Sequence, residues 1–232
     1  MSDLVPSPST SGNAGDRPDA TRSESLTGTE EVPFPEYHVP PADPMALLVR
    51  WLERSVDLGV REPRALALAT ADARGRTSSR IVVLGSVTEH GIDFVTHADS
   101  RKGRELAENP WASGALYWRE TSQQITLAGP VRRMPDAHAE TLWRARPVFT
   151  HAMSTVSRQS RPLDSLADVA ELRARARTLA ESQRALPCPE TFAAYRLAPA
   201  SVEFWSNGTD RLHERLRYER TAGGWKASRL QP

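Results

Sequence analysis

Thirty Lys and Arg stand against 29 Asp and Glu in 232 residues, a formal charge of +1, so no global field draws the chain to nucleic acid or to an anionic membrane. The length suits one sizeable domain with its own core, and a single cysteine, Cys188, excludes an internal disulfide framework. No run approaches the roughly 20 apolar residues of a membrane helix and no signal-peptide pattern opens the chain, so a cytoplasmic protein is expected.

Residues 1–32 are dominated by Ser, Thr, Pro and Gly, with almost nothing to bury, and read as a disordered tail before one domain over 33–232. From Asp43, an Asp-Pro start is followed by Met45, Leu47, Leu48, Trp51, Leu52 and Val56 at helical spacing, which predicts an amphipathic helix. The segments "ALALATAD" and "SSRIVVLGSV" flank the turn "ARGR" as a hairpin, and "GIDFVTHA" follows as a third strand. "ADSRKGRELAENPW" reads as a short helix, after which "ASGALYWRE" and "QQITLAGPVRRM" complete five strands within roughly 65 residues. Asp136–Arg146 and the longer Leu163–Ala185 read as helices. "FAAYRLAPASVEFWSNG", "RLHERLRYER" and "GWKASRL" close the chain as strands. This order predicts a mixed α+β fold, mainly β, in which a barrel carries peripheral helices.

The candidate site begins at the short helix. Ser100 as N-cap, with Arg101 and Lys102 beside it, either forms a small phosphate site on the positive end of the helix or is simply a solvated helix start. Arg80 in "SSR" adds a cation from a strand. In "RLHER", period-2 alternation sends Arg211, His213 and Arg215 to one face. Trp205 is either core or the border of a planar ligand, and the amides of Gln123 and Gln124 either bond a heteroaromatic edge or face water. The histidines show no metal-ligand spacing, and HExxH, GxSxG, P-loop and GxGxxG motifs do not occur, which disfavours zinc enzymes, nucleophilic hydrolases and Rossmann dehydrogenases.

Taken together, "SSRIVVL", "FVTHADSRKGREL", "ALYWRETSQQITLAG", "RARP", "SRQS", "SVEFW" and "RLHERLRY" resemble the pyridoxamine 5′-phosphate oxidase family of FMN enzymes, in order, from about Pro40 to the end. The resemblance implies a split β-barrel homodimer with FMN in clefts at the subunit interface. It implies that Arg80, Ile81, Val82, Ser100, Arg101 and Lys102 hold the phosphate and ribityl chain, and that Val95 and Thr96 line the site. Gln124 would touch the flavin from its strand, with Gln159, Ser160, Trp205 and Arg215 closing the site from the partner subunit.

The substrate side departs from the vitamin B6 oxidases. Where their strand ends in a phosphate-binding lysine this chain has Gly85, and where their helix supplies tyrosine, arginine and serine it has Leu142, Arg146 and Thr150. Losing a lysine and a tyrosine removes hydrogen bonds worth about 1.5–3 and 0.5–1.5 kcal/mol. The stretches "REPRALALAT", "THAMSTVSRQS" and "FWSNGTDRLHERLRYER" resemble instead the phenazine-biosynthesis branch of the family. That branch implies oxidation of a reduced tricyclic phenazine carboxylic acid with dioxygen as electron acceptor. Leu142, Phe149 and Met153 would wall the ring, with Arg146, Thr150, Arg211 and His213 binding the substrate and Arg211 and His213 as catalytic residues. The alternatives are a true pyridoxine/pyridoxamine 5′-phosphate oxidase, a deazaflavin-dependent reductase and a non-catalytic carrier.

Overall fold

A computed structural model describes residues 28–207 and 212–232. Ten strands and five α-helices follow one another as α1 (Pro44–Asp57), β1 (Ala65–Ala71), β2 (Thr77–Val83), β3 (Val87–Thr88), β4 (Gly91–His97), α2 (Arg101–Glu108), β5 (Trp111–Trp118) and β6 (Gln123–Arg133). Then come α3 (Asp136–Ala145), α4 (His151–Val156), α5 (Leu166–Glu181), β7 (Phe192–Leu197), β8 (Ser201–Ser206), β9 (Glu214–Thr221) and β10 (Gly224–Leu230). The mainly-β expectation holds. Single-turn 3₁₀ segments at Pro35–Tyr37 and Val148–Thr150, the short α4 and the two-residue β3 carried too few residues to show a period in the sequence.

All pairings are antiparallel, and one path runs β10-β9-β8-β6-β5-β1-β2. The long strand β6 belongs to two ladders. Gln123–Ala128 pair with β8, whereas Val131–Arg133 pair with β7, which in turn pairs with β4. Gly129 stands at the switch, where a Cβ would lie 2.2 Å from the Ala198 carbonyl. The circuit β2-β1-β5-β6-β7-β4 therefore curls round until β2 and β4 touch without pairing, and the barrel is split at that line.

Alternation along the strands sends one row inward. Leu66 and Leu68 of β1, Leu116 and Trp118 of β5, Ile125 and Leu127 of β6, and Val202 and Phe204 of β8 are all buried. Helix α1, capped by the Asp43 carboxylate on the Met45 N–H at 2.8 Å, packs on this core with Leu47, Leu48 and Trp51. The Trp51 ring meets Phe204 edge-on at 5.2 Å. Val56, expected on that inward stripe, is exposed at the last turn. Outside the barrel, α3 lays Ala139 and Trp143 on Phe192 and Ala194 of β7.

Residues 28–32 of the expected tail are among those described. The N–H groups of Thr29 and Glu30 both donate to the Glu120 carbonyl, at 2.7 and 2.9 Å, so backbone hydrogen bonding fixes these residues although their side chains bury little. Residues 1–27 lie outside the described residues. No helix among the described residues is long and apolar enough to cross a membrane.

Replacing Phe204 by Ala removes the ring that joins Trp51 and Tyr218 and is expected to destabilise the protein by about 3–5 kcal/mol. Denaturant unfolding with an unchanged m-value would measure it.

Candidate functional site

The split between β2 and β4 opens into a cavity of about 630 Å³. Arg80, Ile81 and Val82 line it from β2, Val95 and Thr96 from β4, Lys102 from α2, Leu142 from α3, and Arg146, Thr150 and Gln159 from the segments that follow. Ten of the predicted site residues thus share one space.

Its cationic end is assembled where β4 hands over to α2. Ser100 extends just before the helix and its Oγ accepts the Gly103 N–H at 3.3 Å, the expected N-cap, while Ser100 itself is fully buried beneath the cavity wall. Gly103 permits the close approach of helix and turn, since a Cβ there would lie 2.2 Å from the Ala98 carbonyl. Lys102 is folded inward at 9% exposure, with Nζ donating to Thr96 Oγ1 at 2.9 Å and Gln159 Oε1 at 3.3 Å. Burial, then the neighbouring Arg80, lower its pKa. No carboxylate forms an ion pair with Lys102 among the described residues. A buried ammonium held only by neutral oxygens is a place built for an anion.

Arg101 turns the other way. Its Nε bonds Glu105 at 2.8 Å, its side chain is mostly exposed, and its backbone N–H donates to Ser160 Oγ at 3.1 Å. The i,i+4 carboxylate of Glu105 holds its guanidinium. Gln159 and Ser160 meet Thr96 and the start of α2 of their own chain, because the "SRQS" turn, with Ser160 at φ +68°, folds back onto it.

Glu105 is buried and accepts hydrogen bonds from Thr70 Oγ1, Ser78 Oγ, Arg80 Nη2 and Arg101 Nε. Burial alone would raise its pKa, but those four donors outweigh it and bring the carboxyl down to about 2. Arg80 is fixed further by Nη1 on Thr70 Oγ1 and Nη2 on Ser78 Oγ, both at 2.6 Å.

The expected substrate positions share this cavity. Gly85, Leu142, Arg146 and Thr150 all line the cavity, and Arg146 is the single cation among them. Its guanidinium lies 5.4 Å from the ring centres of both Trp143 and Phe192, and burial lowers its pKa. Met153 is exposed and does not line the space, nor does Phe149; His151 and Ala152 take the inward face of α4 instead. Ser86, Asp93, His97, Ser154 and Phe192 line the cavity and were missed. An aspartate in the apolar run "GIDFVTH" was the available signal.

The remaining predicted residues lie elsewhere. Gln124, Trp205 and Arg215 face one another across β6, β8 and β9 in a single row on the outer side of the sheet. Arg215 is paired with Glu203 at 2.7 Å. His213 precedes β9 instead of lying on it, packs against the Trp205 ring at 4.9 Å, and lines a second cavity with residues 28–34, Thr121, Ser122 and Ser206. Strand pairing starts only at Glu214, so the alternation argument for His213 fails. Arg211 lies outside the described residues.

Residues 52–206 match the model of the pyridoxamine 5′-phosphate oxidase family, and residues 192–232 match the pyridoxine 5′-phosphate oxidase C-terminal dimerisation region. The chain belongs to this family. It is 61% identical over 210 residues to the dihydrophenazinedicarboxylate synthase of Pseudomonas chlororaphis, covering 90% of this chain and 93% of that one. The enzyme of the same name from Burkholderia lata is 51% identical over 212 residues, covering 91% and 99%. The crystal structure of PhzG from Burkholderia lata 383 in complex with tetrahydrophenazine-1-carboxylic acid superposes with a TM-score of 0.84 at 49% identity, covering 88% of this chain and all of that one. Gly85, Leu142 and Thr150, the three positions where a departure from the vitamin B6 oxidases is expected, all line one cavity.

Glu105 has a folded pKa of about 2 against an ordinary 4.5, so its stabilising contribution is full above pH 4.5 and is lost as pH falls toward 2. Glu105→Gln is expected to cost about 2 kcal/mol near pH 7, and the gap from wild type to close on acidification through that window. Urea unfolding of both proteins across the acid range measures it.

Proposed function

We propose that the protein is an FMN-dependent oxidase of phenazine biosynthesis, acting as a homodimer on a reduced phenazine carboxylic acid with dioxygen as electron acceptor. The observation that carries this reading is the cavity's sparse set of cations. Lys102 is buried with no carboxylate partner among the described residues, and Arg146 is the single cation among the expected substrate positions. The buried lysine suits a phosphate monoester, and a lone arginine suits a flat acid without a second phosphate. The names of the relatives, dihydrophenazinedicarboxylate synthase and PhzG with a bound tetrahydrophenazine carboxylic acid, point the same way.

The residues present fit FMN. Lys102, Arg80, Thr96 and Gln159 would hold its phosphate, and Ile81, Val82 and Val95 would flank its remaining length. FMN, when bound, supplies the two-electron redox chemistry that links substrate oxidation to reduction of dioxygen to hydrogen peroxide. The protein's share is positioning. Arg146, which lies 5.4 Å from both the Trp143 and the Phe192 ring centres, binds the substrate carboxylate, while Leu142 and Phe192 give the tricycle a dry wall.

The dimer follows from where the other residues lie. Arg80 on β2 and Trp205 on β8 are separated by three strands, roughly 19 Å at about 4.8 Å per strand, and they occupy opposite faces of the sheet. One ligand cannot meet both within a chain. The outer face between them exposes Ile81, Val83, Trp111 and Tyr117 amid alanines, a surface suited to a second copy. Such a copy would present its Gln124–Trp205–Arg215 row, and with it His213, to this chain's cavity.

Anaerobic addition of a dihydrophenazine carboxylate is expected to bleach the flavin of the purified enzyme, whereas pyridoxine 5′-phosphate leaves it coloured. The reverse pattern would replace this reading with vitamin B6 oxidation. Lys102→Met is expected to weaken FMN binding about ten- to a hundredfold, as loss of a charge-assisted hydrogen bond requires, in fluorescence titrations of the apoprotein.

A further inference from the structure

The cavity carries one acidic side chain on its wall, and nothing above gives it work. Asp93 lies on β4 at 1% exposure, in a strand whose other residues are almost all apolar. Its Oδ1 accepts Arg196 Nε at 2.6 Å and its Oδ2 accepts Arg196 Nη2 at 2.8 Å and Ser86 Oγ at 2.8 Å. His138 Nε2 stands 3.5 Å from Oδ2. Burial opposes ionisation of Asp93, but the bonds from Arg196 and Ser86 outweigh it and keep the carboxyl below its ordinary range. The order of the pair is what matters. Asp93 and Ser86 line the cavity, whereas Arg196 does not, so a ligand meets the carboxylate with the guanidinium behind it.

Asp93 also sits against the position that lacks its lysine. The Gly85 N–H donates to the Asp93 carbonyl at 2.7 Å and the Asp93 N–H to the Ser86 carbonyl at 2.9 Å, which locks residues 85–86 onto β4. A Cβ at position 85 would lie 2.9 Å from that same Asp93 oxygen. A single ladder therefore withholds a cation at Gly85 and supplies an anion at Asp93, eight residues later and on the same cavity wall.

We propose that Asp93 is a specificity-determining residue that makes the substrate end of the cavity reject phosphate monoesters. A phosphate dianion placed between Leu142 and Gly85 finds one arginine and one facing carboxylate, whereas a ligand with a single carboxylate pairs with Arg146 and keeps its neutral edge toward Asp93. The proposal rests on the functional reading above, since it describes discrimination at that site.

The test compares dissociation constants of pyridoxal 5′-phosphate and of phosphate-free pyridoxal for the FMN-loaded wild type, Asp93→Asn and Asp93→Asn/Arg196→Gln. Asp93→Asn is expected to raise affinity for the phosphate ester about tenfold or more, the factor one unit charge produces across several ångströms of protein-like medium. Affinity for pyridoxal should stay unchanged. If the single variant does not fold, the double variant, which leaves no lone buried guanidinium, is expected to raise the phosphate-to-pyridoxal ratio in the same direction by a smaller factor, since it removes the nearer anion together with the more distant cation. A phosphate-to-pyridoxal ratio unchanged in the folded variants overturns the proposal, and so does loss of FMN from both, which would make Asp93 a framework residue only. Oxidation of a dihydrophenazine carboxylate by the wild type is scored separately: its failure would remove the functional reading, while the affinity ratio still decides the role of Asp93.

Discussion

Cations do not gather beside one another in a protein without something that holds them, and here that is the Glu105 carboxylate. Arg80, Arg101 and Lys102 lie around it, and like charges at such range repel by several kcal/mol in a protein-like medium. Glu105 offsets this by accepting from two arginines and two hydroxyls at once, tying β1, β2 and the first turns of α2 together. Because all its lone-pair directions are taken from within the protein, it neutralises part of the charge without turning toward the cavity. Lys102, one residue beyond Arg101 on the helix, is left to face inward over neutral oxygens. Within a single helical turn, a structural ion cluster is thus separated from a buried cation that lines the cavity.

The barrel's geometry places that turn. β6 is long enough to leave β8 for β7, and the change of partner at Gly129 swings β4 round to meet β2 without room for another strand. An open strand edge is normally a liability. Here α2, α3 and the segment running through Arg146 and Gln159 surround the gap, so the edge becomes the side of a chamber. The apolar sheet interior stays intact, and ligand binding makes no demand on the packing that holds the fold.

Much of this was legible in the sequence, and the boundary of legibility is physical. Period-2 runs such as "ALALATA" and the capped helix after Asp43 announced themselves because each buries one face of a regular element. The cationic N-cap at Ser100 was readable for the same local reason. What the sequence could not give is which way a long side chain turns: Arg101 and Lys102 are adjacent, yet one is captured by Glu105 and the other is buried. That Gln159 and Ser160 fold back onto Thr96 and α2 of their own chain was not readable, because a loop's return path leaves no periodic trace. His213 was drawn onto a strand by extending an alternation past the point where hydrogen bonding begins. Asp93 was visible as an aspartate among apolar neighbours, but its meaning depended on Arg196, 103 residues later, lying opposite it in the β4–β7 register.

The separation of the binding residues into two groups has a consequence for how the assembly holds together. In the proposed dimer each cavity is completed by the partner's outer row, so the ligand contacts two chains and its binding free energy is also association free energy. The outer face of one chain is mostly small: Ala65, Ala67 and Ala69 on β1 and Ala115 on β5 lie beside the larger Ile81, Val83 and Tyr117. Small residues let two sheets approach closely, which makes the interface sensitive to any shift in the row that carries Gln124, Trp205 and Arg215. Arg215 is held in that row by Glu203 at 2.7 Å and by the Gln231 carbonyl at 3.0 Å. In the proposed dimer the C-terminal hairpin would then be both framework and half of a binding site, with the cofactor as a third component between the two chains.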